Sequence, residues 1–186
     1  MVRRLALIAP LAALAAMLVP VAAQAELPVG AKAPQFTAAG GLGGEDFSFN
    51  LKAALKKGPV VLYFYPKAFT QGCTLEAHAF AEATPEFKKL GATIIGMSAD
   101  DVPTLKRFSK EECRDAFAVA SASPAVVKLY DVALKKPDGT VLPITSRTSY
   151  VIAKNGKVVM VHSNMDWRDH VKLTLEAVRK LKGVKG

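Results

Sequence analysis

Residues 61–80 read VLYFYPKAFTQGCTLEAHAF and carry the clearest structural signal in the chain. An apolar run over residues 60–65 stops at Pro66, and an amphipathic segment begins directly after Cys73. This pattern predicts a buried strand, a short loop, and a helix whose first turn holds Cys73. Because unpaired backbone N–H groups and the helix dipole favour anions at a helix N-terminus, we expect thiolate at neutral pH. The segment is therefore predicted to hold a reactive sulfur.

Strand and helix patterns alternate through the middle of the chain. Short apolar runs at residues 93–97 and 117–120 predict two further buried strands, each followed by a helical pattern. The helix after Cys73 has apolar residues on one face, and these are Leu75, Ala79, Ala83, Phe87 and Leu90. Because Pro85 lies within that pattern, we expect a kink or a break near Thr84.

Hairpin signals lie at both ends of this alternating region. Residues 35–38 and 46–50 are strand candidates, and we interpret the glycine cluster at residues 40–44 as their loop. Asn155-Gly156 predicts a second hairpin, and a final helix is predicted over residues 166–181 with Val171, Leu175, Val178 and Leu181 inward. Alternation implies parallel strands and a hairpin implies antiparallel ones. The sequence therefore predicts an α/β fold of the thioredoxin type, a mixed sheet flanked by helices with an N-terminal hairpin.

The first 25 residues have the pattern of a secretory signal peptide. Arg3 and Arg4 precede an uncharged apolar stretch, and Ala23-Gln24-Ala25 has small residues at the two positions that signal peptidase reads. An uncleaved membrane anchor is the alternative, since the apolar run approaches spanning length. Pro10, Pro20 and the A-x-A motif favour cleavage of this segment over its retention as an anchor. We therefore predict a signal peptide over residues 1–25 and one exported domain over residues 26–186, with no stable membrane insertion after cleavage.

The basic residues of the chain are numerous but scattered. The 186 residues include 25 basic and 16 acidic ones, for a formal net charge of +9. Removal of Arg3 and Arg4 with the signal would leave +7. Aromatic residues are not interleaved with the basic ones, so the pattern indicates a solvated surface and no nucleic-acid partner. Weak attraction to anionic lipid is the alternative.

Cys73 and Cys113 are the only cysteines, and both lie in the predicted mature part. In an exported protein the default for such a pair is a structural disulfide. A C-x-x-C motif is missing, since Cys73 is followed by Thr74, Leu75 and Glu76, which disfavours a dithiol oxidoreductase. The cysteine count alone leaves a structural disulfide and a reactive thiol both open.

Pro66, Thr70 and Cys73 form the motif P-x-x-x-T-x-x-C, in which the chain resembles the peroxiredoxins of the AhpC/TSA superfamily. The segment YFYPKAFTQGCTLEA is similar to the branch called PrxQ or bacterioferritin comigratory protein. The resemblance runs from Val29 to the final helix and includes the strand that begins Arg147-Thr148-Ser149-Tyr150. It implies a thioredoxin-like fold and a thiol-dependent peroxidase that reduces hydrogen peroxide and organic hydroperoxides.

The resemblance also implies roles for single residues. Cys73 matches the peroxidatic cysteine, whose thiolate attacks the O–O bond and becomes a sulfenic acid. Thr70 matches a hydroxyl that can bond both the sulfur and the peroxide, and Pro66 matches the residue that shields the sulfur from water. Arg147 matches an arginine that stabilises the thiolate and the departing oxygen. Glu76 could orient Arg147, or it could be a helix N-terminal carboxylate with no further role.

The resolving cysteine is where the chain departs from the best-known PrxQ pattern. Some members carry it five residues after the peroxidatic cysteine, where this chain has His78. Other members carry it in or just after the third helix, where Cys113 lies. The resemblance therefore implies an intramolecular Cys73–Cys113 disulfide in the oxidised enzyme. Glu111 and Glu112 should raise the pKa of Cys113, in keeping with a resolving rather than an attacking sulfur.

The resemblance implies no metal or organic cofactor. His162, Asp166 and His170 are spaced four apart like metal ligands, but a strand-to-helix junction is expected to interrupt them, so no metal site is predicted. A thioredoxin-like or glutaredoxin-like partner in a bacterial periplasm is expected to reduce the disulfide of a monomer. The alternatives are an exported thioredoxin-fold protein with a purely structural disulfide, and a thiol–disulfide exchanger.

Overall fold

The computed structural model describes residues 26–183, so the predicted signal peptide at residues 1–25 lies outside the described residues. The strands in this region are β1 (Thr37–Leu42), β2 (Glu45–Asn50), β3 (Val60–Phe64), β4 (Thr93–Ser98), β5 (Ala118–Ser121), β6 (Ala133–Lys135), β7 (Val141–Thr145), β8 (Thr148–Ile152) and β9 (Val158–Ser163). The α-helices are α1 (Leu51–Lys57), α2 (Gln71–Lys89), α3 (Val102–Glu111), α4 (Pro124–Tyr130) and α5 (His170–Leu181). Trp167–Asp169 forms a 3-10 turn directly before α5.

A seven-stranded sheet forms the centre of the fold, in the order β2-β1-β5-β4-β3-β8-β9. The neighbours β3, β4 and β5 pair in parallel, whereas β8 and β9 form an antiparallel hairpin beside β3. A separate small hairpin is made by β6 and β7. The predicted mixed sheet is therefore confirmed, and the helices between its parallel strands supply the connections that parallel pairing requires.

Two apolar cores lie against the sheet, and alternate residues of β3 divide between them. Val60, Leu62 and Phe64 belong to one core, while Val61 and Tyr63 belong to the other. All five residues of β3 are buried, as expected for a strand covered on both faces. The second core includes the inward faces of α2, α3 and α5. The C-terminal end of β3 therefore lies between the two cores, and the start of α2 packs in the second.

The N-terminal hairpin is tighter than the sequence indicates. Gly40 and Gly41 are not in the loop but within β1, and only Gly43 and Gly44 form the turn, both with positive φ. Gly40 pairs with Ala120 of β5, and a Cβ at Gly40 would lie 2.0 Å from the Val119 carbonyl oxygen. The prediction of a loop over residues 40–44 was wrong because these glycines permit a close approach of strands.

Of the kink or break predicted near Thr84, the break was wrong, since helix α2 runs continuously through Pro85. A proline lacks the N–H that would complete the helical ladder. Here Phe80 and Phe87, on either side of Pro85, are both fully buried, and the Thr84 hydroxyl donates to the Phe80 carbonyl at 2.8 Å. Tertiary packing therefore carries the helix through the proline.

The final helix presents a more polar face to the core than its apolar pattern predicts. Val178 is fully buried, but Leu181, the last residue of α5, is exposed, so its predicted inward position was wrong. The other buried positions belong to His170 and Thr174. Both are satisfied internally, since the Thr174 hydroxyl donates to the His170 carbonyl at 2.7 Å and the imidazole bonds to neighbouring groups. Within residues 26–183, the structure contains no helix long and apolar enough to cross a membrane.

Candidate active site

The loop between β3 and α2 is fixed at both ends by hydrogen bonds. The Thr145 hydroxyl donates to the Tyr65 carbonyl at 2.6 Å, which anchors the chain where β3 ends. Further along, the Ala68 amide donates to Asp100 Oδ2 at 2.8 Å. Phe69 has φ 63°, an uncommon conformation for an aromatic residue, and Thr70 follows as the N-cap of α2. These hydrogen bonds therefore fix the position of the first turn of α2 relative to the sheet.

Cys73 lies in that first turn, as the sequence predicts. Its residue is only 2% exposed, and its thiol is free. The lack of a side chain at Gly72 lets the Arg147 side chain reach this sulfur. A Cβ at Gly72 would lie 3.3 Å from Arg147 Nη2, tighter than ordinary van der Waals contact, so glycine leaves room for the guanidinium.

Arg147 contacts three different groups through three different nitrogens. Nη2 donates to Cys73 Sγ at 3.4 Å, Nε donates to the Met165 carbonyl at 3.0 Å, and Nη1 donates to Glu76 Oε2. The arginine is 4% exposed. Burial alone would lower the pKa of Arg147, but its interactions with Glu76 and Cys73 outweigh burial and hold the pKa above its ordinary value. A fixed cation therefore lies against the sulfur.

Glu76 is one turn after Cys73 and is fully buried. Of the two alternatives that the sequence left open for Glu76, its contact with Arg147 is the one that an orienting role requires. Burial raises the pKa of Glu76 to about 8, even though the neighbouring Arg147 acts to lower it. A carboxyl group in this environment differs from an exposed helix N-terminal carboxylate.

Thr70 and Pro66 lie on the approach to Cys73. Thr70 is the N-cap of α2 by backbone conformation, but its hydroxyl donates to the Lys67 carbonyl at 2.9 Å and accepts no helix amide N–H. Pro66 is half-buried directly after β3. The chain therefore places both residues in the loop that leads to Cys73.

Cys113 is fully buried just after the end of α3, and its thiol is free. It belongs to the same apolar core as Cys73. Burial is the main cause that raises the pKa of the Cys113 thiol, and the charge of Glu112 adds to it. The sequence anticipated the direction from the acidic neighbours but missed burial as the larger cause. The following residues, Arg114 and Asp115, both have positive φ, at 50° and 58°.

Two residues that the sequence did not assign to the site join it from behind Glu76. His170 is fully buried, and its Nδ1 lies 3.8 Å from Glu76 Oε1. Ser149 Oγ lies 2.7 Å from the same ring nitrogen. The signal that could have found His170 is a histidine at an inward position of an amphipathic helix. The expected junction before this helix does separate His162 from His170 along the chain, yet their rings meet with centroids 4.5 Å apart.

Comparison with known proteins agrees with this arrangement. Residues 29–161 match the model of the AhpC/TSA family. The chain is 33% identical to peroxiredoxin Q of the chloroplast of Oryza sativa subsp. japonica over 82% of this chain and 67% of that protein. It is 30% identical to peroxiredoxin Bcp of Bacillus subtilis (strain 168) over 82% of this chain and 96% of that protein.

Solved structures show the same relationship. The bacterioferritin comigratory protein of Xanthomonas campestris, described for its alkyl peroxide reduction activity, superposes with a TM-score of 0.68. The sequences are 30% identical, and the match covers 77% of this chain and 90% of that one. The thioredoxin-like fold, the motif around Cys73 and these relatives show that the chain belongs to the AhpC/TSA family, as a peroxiredoxin of the PrxQ and bacterioferritin comigratory protein branch.

Proposed function

We propose that this peroxiredoxin reduces hydrogen peroxide and organic hydroperoxides through Cys73, with Cys113 as its resolving cysteine. The observation that carries the proposal is the 3.4 Å contact between Arg147 Nη2 and Cys73 Sγ in the first turn of α2. A cation and a helix N-terminus at one sulfur both favour the thiolate, which is the nucleophilic form. The alkyl peroxide activity of the related Xanthomonas protein supports organic hydroperoxides as substrates.

The first step breaks the peroxide bond. The Cys73 thiolate donates its electron pair to the terminal oxygen of the peroxide, an S–O bond forms, and the O–O bond breaks. The departing oxygen leaves as alkoxide or hydroxide and takes a proton. Arg147 stabilises the negative charge as it moves from sulfur to the departing oxygen, since its guanidinium is already fixed by Met165 and Glu76.

The second step joins the two sulfurs. The Cys113 sulfur attacks the Cys73 sulfenic acid, an S–S bond forms, and water leaves. Cys73 is held in the first turn of α2 and Cys113 lies just beyond the end of α3, so we expect that turn to unwind or the end of α3 to move before the sulfurs bond. The positive φ angles of Arg114 and Asp115 make the segment after Cys113 a candidate for this movement.

A single turnover tests this sequence of steps. After one equivalent of peroxide, both thiols should be lost and peptide mapping without reduction should find Cys73 linked to Cys113 within one chain. Mass spectrometry of the peptides makes the measurement, and a reduced sample is the control. A link found only between two chains would contradict the intramolecular step and indicate a dimeric two-cysteine enzyme instead.

The compartment and the electron source form the second part of the proposal. Peroxiredoxins act with thioredoxin-type reductants, and we propose a thioredoxin-like or glutaredoxin-like protein of the bacterial periplasm for this chain, acting on a monomer. The support for export is the pattern at residues 1–25, with Ala23-Gln24-Ala25 at its end.

Export predicts a defined processing event. When the full chain is produced in a bacterium, the mature protein should begin at Glu26 and appear in the periplasmic fraction. N-terminal sequencing and fractionation measure this, with Ala23→Lys and Ala25→Lys as variants that should block cleavage. Recovery of the wild-type chain in the cytoplasm with its first residues still attached would overturn the export proposal.

A further inference from the structure

The buried groups behind Arg147 form a chain of contacts that the peroxidase mechanism leaves unused. From the sulfur inward it runs through Arg147, Glu76 and His170 to Ser149, each of which is buried. One atom in this chain stands out. Glu76 Oε1 is buried and has no hydrogen-bond partner within residues 26–183. A bare carboxylate oxygen in the protein interior is costly, so its protonation state needs an explanation.

Hydrogen bonds fix the form of the neighbouring His170. Its Nε2 lies 2.9 Å from the Asn164 carbonyl oxygen, which can only accept, so Nε2 carries the proton. The other nitrogen, Nδ1, then accepts from the Ser149 hydroxyl at 2.7 Å in the neutral ring. Burial lowers the pKa of His170 to about 4, in keeping with a neutral imidazole. Ser149 therefore occupies the one lone pair of Nδ1, and the ring has no N–H left to offer Glu76.

Nδ1 of His170 lies 3.8 Å from the bare oxygen of Glu76, beyond hydrogen-bond distance, and carries no proton to donate to it. A negative charge on Oε1 would therefore find no donor among the described residues, whereas protonation of Oε1 removes that charge. Oε2 of the same carboxyl accepts from Arg147, as a carboxylic acid can through its carbonyl oxygen. Resting on the peroxidase function proposed above, we propose that His170 is a positioning residue that keeps Glu76 protonated on Oε1, so that the charge of Arg147 acts on the Cys73 sulfur.

The charges around this chain agree with the proposal. Glu76 faces the Arg147 cation, the Cys73 sulfur, the Tyr63 phenol from β3 and the His170 ring. His170 in turn faces the His162 ring from β9, Arg147, and the Asp166 carboxylate of the preceding turn. With Glu76 ionised, the single positive charge of Arg147 would face two buried anions, Glu76 and the Cys73 thiolate. With Glu76 neutral, the arginine and the thiolate balance, and burial, which raises the pKa of Glu76 to about 8, supports this state.

Infrared spectroscopy of the reduced full chain tests the protonation directly. At pH 7 the wild type should show the carbonyl band of a buried carboxylic acid, shifted in heavy water and missing in Glu76→Gln. This readout does not depend on activity. A wild type without a band that Glu76→Gln removes would overturn the proposal, even if the protein is an active peroxidase. A band present in an inactive protein would leave this inference standing while the proposed function fails.

The pH profile of the peroxide reaction tests the consequence for the sulfur. Above about pH 8 the wild-type rate should fall, by up to roughly tenfold per pH unit as Glu76 ionises, so that Glu76→Gln becomes the faster enzyme there. His170→Asn offers an N–H where the imidazole has none to spare, so the decline should begin roughly one pH unit lower. His162→Asn, the matched change at the adjacent ring, should not move it. An alkaline decline unchanged in Glu76→Gln, or moved equally by both histidine variants, would overturn the proposal.

Discussion

Replacing Cys73 with serine should abolish the reduction of peroxide, a loss on the order of a thousandfold or more in the rate with peroxide. Serine keeps the shape of the buried site, but its hydroxyl is not ionised at neutral pH, and the nearby Arg147 cannot supply enough stabilisation to ionise it. Consumption of hydrogen peroxide and of an organic hydroperoxide by the purified reduced protein, followed by stopped flow, measures the loss.

Cys113→Ser is the matched control for this result. It removes the other buried thiol by the same substitution, yet it should leave the first reaction of Cys73 with peroxide and prevent the disulfide and further turnover. Peroxide consumption by Cys73→Ser comparable to that of the wild type would disprove the assignment of the nucleophile. A wild type that consumes no peroxide would instead favour a protein whose disulfide only stabilises the fold.

Much of this site could be predicted because its signals are local in the sequence. The apolar run over residues 60–65 and the amphipathic segment after Cys73 are adjacent, so the strand, the loop and the first helical turn follow from periodicity. The hairpin at Asn155-Gly156 follows from turn chemistry in the same way. The place of Arg147 came from a family resemblance, because 74 residues separate it from Cys73 and no local pattern joins them.

The features that could not be predicted depend on close packing between distant segments. Gly40 lies within β1 because Ala120 and Val119 of β5 come too near for a side chain, and nothing beside Gly40 in the sequence shows this. Likewise His170 sits at an inward position only because Ser149 and Asn164 satisfy both ring nitrogens. Hydrophobic periodicity assigns inward helix positions to apolar residues, so it does not predict a buried histidine or the hydrogen bonds that satisfy it.

Arg147→Met should lower the rate of the peroxide reaction by about 10²–10³-fold, which is typical for removal of a fixed donor at a developing negative charge. Methionine fills part of the space but leaves the Cys73 sulfur without its cation. It also ends the bond to the Met165 carbonyl at 3.0 Å and leaves Glu76 without its donor. Because Glu76 is buried beside the sulfur, the variant has a second route to lost activity through a weakened fold.

Three further variants separate charge, geometry and stability at Arg147. Arg147→Lys keeps the charge but cannot reach Cys73, Glu76 and Met165 together, so it should recover only part of the rate. Combining Arg147→Met with Glu76→Gln removes the unpaired acid, so it should restore stability to denaturant without restoring the rate. Arg168→Met makes the same change at an exposed arginine and should react like the wild type. If the double variant regained the wild-type rate, the contribution of Arg147 would be to the fold and not to the reaction of the sulfur.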